Sequence, residues 1–367
     1  MLGGKRRFGF VLTSFACLAF TSCTTSGNTG SGEITEETPL LHADGTVAAH
    51  GWARGPLMQY DRSLVQEQHL DGLREWEYYA VFAPDFAIGL TLANIGLLSF
   101  SILTLEDYAT GDIHDAMILG EASALDFPPT PFENTLFEAP TGSVEYRFEE
   151  GARTITVITG LEGSPDRMEA HLELEDSRAV ESIAVVHRFD EPGQFFYENK
   201  RVSMPAIGSV QVGATVYELP EGDSFGVLDW GRGAWPENVH WEWGHFAGMV
   251  DGRMVGINIG TVFGDDTPGT ADAVIVDDVL HKLGRVEWEY DLEDVMAPWR
   301  FDSGDGRLEL TLTPDFDDST TLTLGDAYTL TRWKVHGEIA DTVQLDDGSQ
   351  LEVAGIRGAA EYVEIIW

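Results

Sequence analysis

The segment Phe225–Gly260, FGVLDWGRGAWPENVHWEWGHFAGMVDGRMVGINIG, concentrates the side chains that could do chemistry. Four of the ten tryptophans, Trp230, Trp235, Trp241 and Trp243, fall inside it, together with Asp229, Arg232, His240, Glu242 and His245. Such a mixture suits a ligand-facing wall better than a dry core, because every buried charge needs a partner. Asp229 and Arg232 stand three apart, with Gly231 and Gly233 around the arginine. Read as a Gly-Arg-Gly turn, they form either a proton-handling pair at a barrel mouth or an ion pair bracing the turn. On a Val239–Val250 strand, Trp241, Trp243 and His245 share one face, and His240, Glu242 and Phe246 take the other. The tryptophans then line a cavity or fill a core. His245 is either a general acid or base titrating near neutral pH or a hydrogen-bonded core histidine.

Lysine is scarce: after Lys5 only Lys200, Lys282 and Lys334 remain. Tyr197, Lys200 and Lys282 are therefore candidates for ligand contact, with interdomain salt bridges as the alternative. No His-x-x-x-His, His-Glu-x-x-His or cysteine pair supplies a zinc site, and no Gly-rich phosphate loop leads into a helix, so no metal and no cofactor is expected. Gly222-Asp223-Ser224-Phe225-Gly226 matches the letters of a nucleophile elbow. A strand pattern follows it where an elbow needs a helix, so it reads as a turn opening a strand.

The elements that must position these residues are short strands. Trp76–Phe82, Phe86–Asn94, Leu97–Leu105, Ser143–Glu150, Ala152–Thr159, Met168–Glu175 and Ser182–Phe189 read as strands in the first half. Gly208–Leu219, Ser224–Trp230, Val239–Val250, Arg253–Phe263, Val274–Val276, Arg285–Leu292, Leu308–Thr313, Tyr328–Ile339, Leu351–Ala354 and Ala360–Trp367 follow. Residues 121–142, with four prolines, read as a long loop, and Asp61–Leu73 as a short helix. Many short strands with turn signals between them predict an all-β, antiparallel sandwich or barrel architecture.

The chain carries 62 acidic against 22 basic residues, a net charge of −40. So acidic a surface repels phosphate backbones, which argues against a nucleic-acid partner. Lys5-Arg6-Arg7, the apolar run Phe8–Phe20 and Thr21-Ser22-Cys23 resemble a bacterial lipoprotein signal. The expectation is export, lipidation at Cys23 and attachment to a lipid bilayer of the cell envelope. Both cysteines, Cys17 and Cys23, lie in this region, so nothing beyond residue 23 can form a disulfide. The expected plan is a signal over 1–22, a flexible tether over 23–45, and two β modules over 46–200 and 201–367.

Several phrases resemble the bacterial domain-of-unknown-function family 2804. They are Gly51-Trp52-Ala53-Arg54, Trp76-Glu77-Tyr78, Phe195-Phe196-Tyr197-Glu198-Asn199-Lys200, Met204-Pro205-Ala206-Ile207-Gly208, Leu228-Asp229-Trp230-Gly231-Arg232-Gly233-Ala234-Trp235-Pro236, Gly256-Ile257-Asn258-Ile259-Gly260, His281-Lys282 and Pro298-Trp299-Arg300. Where that family tends to carry Glu-Asn, this chain has Ala271-Asp272. More distantly the family is similar to paired lipocalin-like barrels, as in carotenoid hydratases and tocopherol-cyclase-like proteins. The resemblance implies two lipocalin-like barrel modules and an apolar, isoprenoid-like small-molecule partner, and it extends the ligand-binding candidates to Asn258 and Asp272. The functional expectation is a hydratase, cyclase or isomerase using Asp229, Arg232 and His245. The alternatives are a non-catalytic lipid- or terpenoid-binding lipoprotein and a carbohydrate-active enzyme.

Overall fold

The computed structural model describes residues 32–161, 163–164, 167–236, 238–324 and 328–366. Cys17, Cys23 and the expected signal lie outside the described residues. No helix among those described is long and apolar enough to cross a membrane.

Two large sheets dominate. The first runs in the order Asp112–Glu121, Leu98–Asp107, Phe86–Asn94, Leu73–Phe82, Phe225–Ala234, Phe195–Val212, Met168–Asp176, Gly151–Thr159, Gly142–Glu149 and Thr135–Ala139, all antiparallel. Its two ends curl toward each other: a Cβ added to Gly120 would lie 2.9 Å from the Phe137 ring. The second runs Val279–Lys282, Ala273–Val276, Arg253–Thr261, Val239–Val250, Ile356–Ile366, Tyr328–Gln344, Leu308–Asp317, Trp299–Asp302 and Glu287–Glu289. The all-β, antiparallel two-module expectation is thus what the chain forms.

Each sheet wraps its own apolar core. Leu90, Leu103, Tyr79, Leu228 and Trp230 belong to the first, and Phe246, Ile257, Trp299 and Val335 to the second. A third layer lies between the sheets, with Ala80, Phe82, Val202, Val227, Trp243, Ala247 and Ala359. Strand parity produces this division, because side chains alternate faces with period two. On Leu73–Phe82, Glu75, Glu77, Tyr79 and Val81 point into the first barrel, while Trp76, Tyr78, Ala80 and Phe82 point at the second sheet.

Several local expectations change. The expected module boundary at 200/201 falls inside one strand, Phe195–Val212, which bends at a bulge between Arg201 and Met204 where Ser203 has φ 66°. Phe225–Ala234 pairs within the first sheet, so the chain changes sheets only between Ala234 and Val239. The expected Gly208–Leu219 strand is instead a hairpin, with Thr215–Leu219 returning on Val212. The proline-rich loop over 121–142 contains the strand Thr135–Ala139, and Asp61–Leu73 holds two short 3-10 turns. Within the expected tether, Leu40 and Leu41 are buried in the first core and Thr38–Pro39 pairs with Met58–Gln59, because two adjacent leucines gain by leaving water.

Candidate functional site

The intersheet layer runs along the Leu73–Phe82 strand. At one end the rings of Trp76, Phe196, Trp235 and Phe263 form a cluster, with centroids 4.9–5.9 Å apart, and Trp241 lies 6.3 Å from Phe263. This cluster explains the glycines of the Asp-Trp-Gly-Arg-Gly phrase. The phrase is a continuous strand, not a turn. A Cβ on Gly231 would meet Trp76 Cζ2 at 1.9 Å, and one on Gly233 would meet the Trp235 ring at 2.6 Å. The glycines therefore let two indoles lie flat on the strand. An open groove of about 580 Å³, lined by Arg188–Gln194, Thr46, Val47, Gly264 and Asp265, adjoins this end, where Phe189 sits 6.1 Å from Phe263.

Further along, the layer becomes polar. Lys200 extends its ammonium to 2.8 Å from Asp229 and 2.9 Å from Glu198, and 4.1 Å above the Trp243 ring. Asp229 and Lys200 are directly paired across neighbouring strands, and Asp229 in turn is opposite Tyr78. From the second sheet, Trp243 donates its indole N–H to Asn258 at 2.9 Å and stacks on His245 at 3.9 Å. Tyr78 meets the Trp243 ring edge-on at 5.7 Å.

The electrostatics single out Glu198. It is 1% exposed. Burial, with the Asp229 charge adding to it and Lys200 opposing, pushes its carboxyl up to about 7. Burial alone would lower Lys200, but Asp229 and Glu198 outweigh it and keep the ammonium charged. Burial takes His245 well below the ordinary imidazole range, and the neighbouring Lys334, His336 and Lys200 lower it further. His245 is therefore neutral at pH 7, which fits the core reading of the two left open for it better than a group titrating there. Glu198 Oε1, Asp229 Oδ1 and both ring nitrogens of His245 are buried without a hydrogen-bond partner.

The structure does not bring Asp229 and Arg232 together. An odd spacing on a strand puts them on opposite faces, and Arg232 lies inside the first barrel, 3.8 Å from Glu75 and 3.9 Å from Glu77. It donates to the carbonyls of Trp76, Gly231 and Pro128. Trp230 and Tyr197 share that interior, edge-on at 5.3 Å, and belong to the core. Asp272 accepts from the backbone N–H groups of Gly260 and Val286. Lys282, lowered by burial to about 8, donates to Thr270 Oγ1 and to the carbonyls of Asp272 and Leu283. These two brace a loop. Asn258 does too, donating to Ala271 O, while holding Trp243. The intersheet layer thus keeps Asp229, His245, Lys200, Trp235, Trp241, Trp243 and Asn258 of the expected set. It adds Glu198, Tyr78 and Trp76. Glu198 sits two residues from Lys200, so parity alone places them on one face.

At the far end, Glu106, Asp318 and His336 are the described residues whose ligand atoms all lie within 4.8 Å, the spacing a metal could use. Lys334 stands among them, 2.9 Å from Glu106 and 3.1 Å from Asp318, and supplies the cation itself.

Two antiparallel sheets, each around its own core and sharing a polar, aromatic layer, define the class of molecule. The chain belongs to the family described as Domain of unknown function (DUF2804), matched over residues 31–367. No curated protein matches it in sequence. Its fold is similar to that of CghA crystallised with Sch210972, at TM-score 0.52 and 11% identity over 81% of this chain and 88% of that one. CghA in a second structure gives TM-score 0.50 and 13% identity over the same shares. Kievitone hydratase from Nectria haematococca overlaps at TM-score 0.49 and 12% identity, over 84% and 92%.

Proposed function

We propose that the intersheet layer binds an apolar molecule and moves a proton on it, as a hydratase, cyclase or isomerase does. The observation that carries this is Glu198: a buried carboxyl at about 7, with Oε1 unpartnered, beside an aromatic wall. A carboxylic acid balanced near neutral pH can give and take a proton, and the best general acid or base has a pKa near the working pH. Lys200 fixes the carboxylates of Glu198 and Asp229 and lies over the face of Trp243. Asp229 Oδ1 and His245 remain to accept or donate hydrogen bonds to the ligand's polar group. Occupation of this fold in CghA by Sch210972 supports a small-molecule ligand.

Among the described residues no tryptophan is more than partly exposed: Trp76, Trp235 and Trp241 are half-buried and Trp243 is buried. A sugar platform presents ring faces to solvent, so this burial favours an apolar ligand over an oligosaccharide. Export and anchorage through Cys23 belong to the same proposal, placing the ligand in or near a bilayer. Native mass spectrometry of purified protein tests the ligand class: an apolar molecule is expected, and recovery of oligosaccharide alone would contradict it. Turnover of that molecule, measured for wild type and Glu198→Gln, then tests catalysis. Loss of turnover with binding retained is expected, and a chemically unchanged ligand from wild type under all conditions leaves only a binding protein.

A further inference from the structure

The open groove at the aromatic end of the layer is braced on both walls. On one, the Asp265 N–H donates to the Arg188 carbonyl at 2.8 Å, and His187 places Nδ1 3.3 Å from the Phe263 carbonyl and Nε2 3.3 Å from that of Gly269. On the other, His69 Nε2 lies 3.1 Å from the Pro192 carbonyl, and Gln66 packs against Gly193, where an added Cβ would lie 2.8 Å from Oε1. The cavity of about 580 Å³ is thus walled by two tied loops.

Its inner end meets a line of rings. Phe189 and Phe263, both half-buried, stand 6.1 Å apart, and Phe263 is 4.9 Å from Phe196. Phe196 is two residues from Glu198 and on the same strand face, a step of about 6.7 Å. Glu198 is opposite Gly231, and Gly231 is opposite Trp76. Phe196 and Trp76 sit within strands, whereas Phe189 and Phe263 lie just past the ends of Ile183–Arg188 and Arg253–Thr261. His187 holds the Phe263 backbone, so the Phe263 ring can turn aside without moving its loop. Trp235, 5.1 Å from Phe263, has its indole N–H buried with no acceptor.

The rim sets the chemistry. Asp190, Glu191 and Asp265 are exposed around the groove, and Arg188 is the one cation among the described residues lining it. Bonds from the Thr267 hydroxyl and N–H hold Asp265 below the usual carboxylate range, so it stays charged. A carboxylate or phosphate placed here would meet a net negative charge.

We propose that this groove is the port of the intersheet layer and a binding subsite of its own. It holds the polar, non-anionic end of an elongated amphiphile, such as a long-chain alcohol, while the apolar body passes Phe189 and Phe263 toward Glu198. The Trp235 N–H donates to an oxygen near that end. The inference rests on the layer being the ligand site, and it adds where the ligand enters, how it is oriented and which polar ends are refused.

The test titrates the whole protein with dodecanol and with dodecanoate, both as monomers in solution, and follows tryptophan emission and the carbon-13 resonance of the Glu198 carboxyl. Wild type is expected to bind dodecanol about tenfold or more tighter than dodecanoate, the size of effect that two uncompensated charges at close range produce. In the double variant Asp190→Asn, Glu191→Gln, dodecanoate should gain about tenfold while dodecanol is unchanged. Both residues are exposed, so the fold is kept. Only two of 62 acidic residues are lost, so general repulsion by the acidic surface stays as it was. Gln194→Trp, which fills the groove, should weaken dodecanol about tenfold or more. Suppose instead that dodecanol moves the Glu198 resonance with equal affinity in wild type and Gln194→Trp, and that dodecanoate gains nothing in the double variant. That result would overturn the port and leave the layer as the site. A wild-type Glu198 resonance that ignores both probes would overturn the reading of the layer, and this inference with it.

Discussion

Two charged groups occupy opposite faces of the same three strands, Leu73–Phe82, Phe195–Val212 and Phe225–Ala234, and they are wired differently. Inside the first barrel two guanidinium groups are tied to the main chain. Arg232 donates to three carbonyls besides facing Glu75 and Glu77, and Arg201 donates to Ser177 and Val180 while pairing with Asp176. In the intersheet layer a single ammonium, that of Lys200, serves Glu198 and Asp229, and acceptor atoms are left over. The first arrangement locks strands and a loop together. The second leaves hydrogen-bonding capacity facing an aromatic wall, which is what a binding layer needs. Charge, burial and unpartnered atoms are present on both sides; what separates brace from site is that Arg232 and Arg201 donate to backbone carbonyls, whereas Lys200 is held by carboxylates alone.

That contrast is open to direct attack. The largest effect is expected from Arg232→Met, which removes the cation between the buried Glu75 and Glu77 and three donors to backbone carbonyls, and should cost about 3–5 kcal/mol in urea unfolding. Lys200→Met should cost less, about 1–3 kcal/mol, because Glu198 can take up a proton in place of the lost cation. Its loss should also be larger at pH 8 than at pH 5, since low pH neutralises the Glu198 carboxyl it abandons. Equal losses at both pH values, or a loss exceeding that of Arg232→Met, would erase the distinction between the two groups. Gly231→Ala pushes a methyl into Trp76 and should cost about 1–3 kcal/mol, with a shift in tryptophan emission that reports the displaced ring.

The smallest effect concerns Glu198→Gln. The raised carboxyl keeps its proton in the folded state above the unfolded value of 4.5, so the native form holds more protons than the unfolded one between there and about 7. This contribution therefore makes stability fall as pH rises through that window. Glu198→Gln should remove this part of the decline, seen as a flatter plot of melting temperature against pH. An unchanged slope would mean that Glu198 titrates like an exposed glutamate.

Much of this molecule was legible in its letters. The strands Phe86–Asn94 and Val239–Val250 have the bounds that their composition predicts, and the family phrases pointed to the paired-sheet fold. The site was only half legible, for one physical reason. Gly231 and Gly233 read as turn residues, which broke the strand at Trp230 and put Asp229 beside Arg232. Glycine in a strand can equally mark the close approach of another group, here two indoles, and that group lies far away in sequence. Once the strand is continuous, parity alone sends Arg232 and Trp230 inward and Asp229 outward. Glu198 was missed although its phrase was singled out, because its raised pKa comes from burial between sheets, which no local pattern reports. For His245 the letters left an acid–base and a core reading open, and what takes it below the imidazole range is burial between the sheets, with Lys334 and Lys200 arriving from distant strands.

The account depends most on a carboxylic acid held near neutrality in the intersheet layer. Carbon-13 NMR of labelled glutamate, with Glu198 assigned by its absence in Glu198→Gln, measures this directly across pH 3 to 9. An apparent pKa near 7 for Glu198, moving when an apolar ligand is added, is the predicted result. A Glu198 carboxyl that titrates in the ordinary range and ignores the ligand would contradict the assignment of this layer as the site.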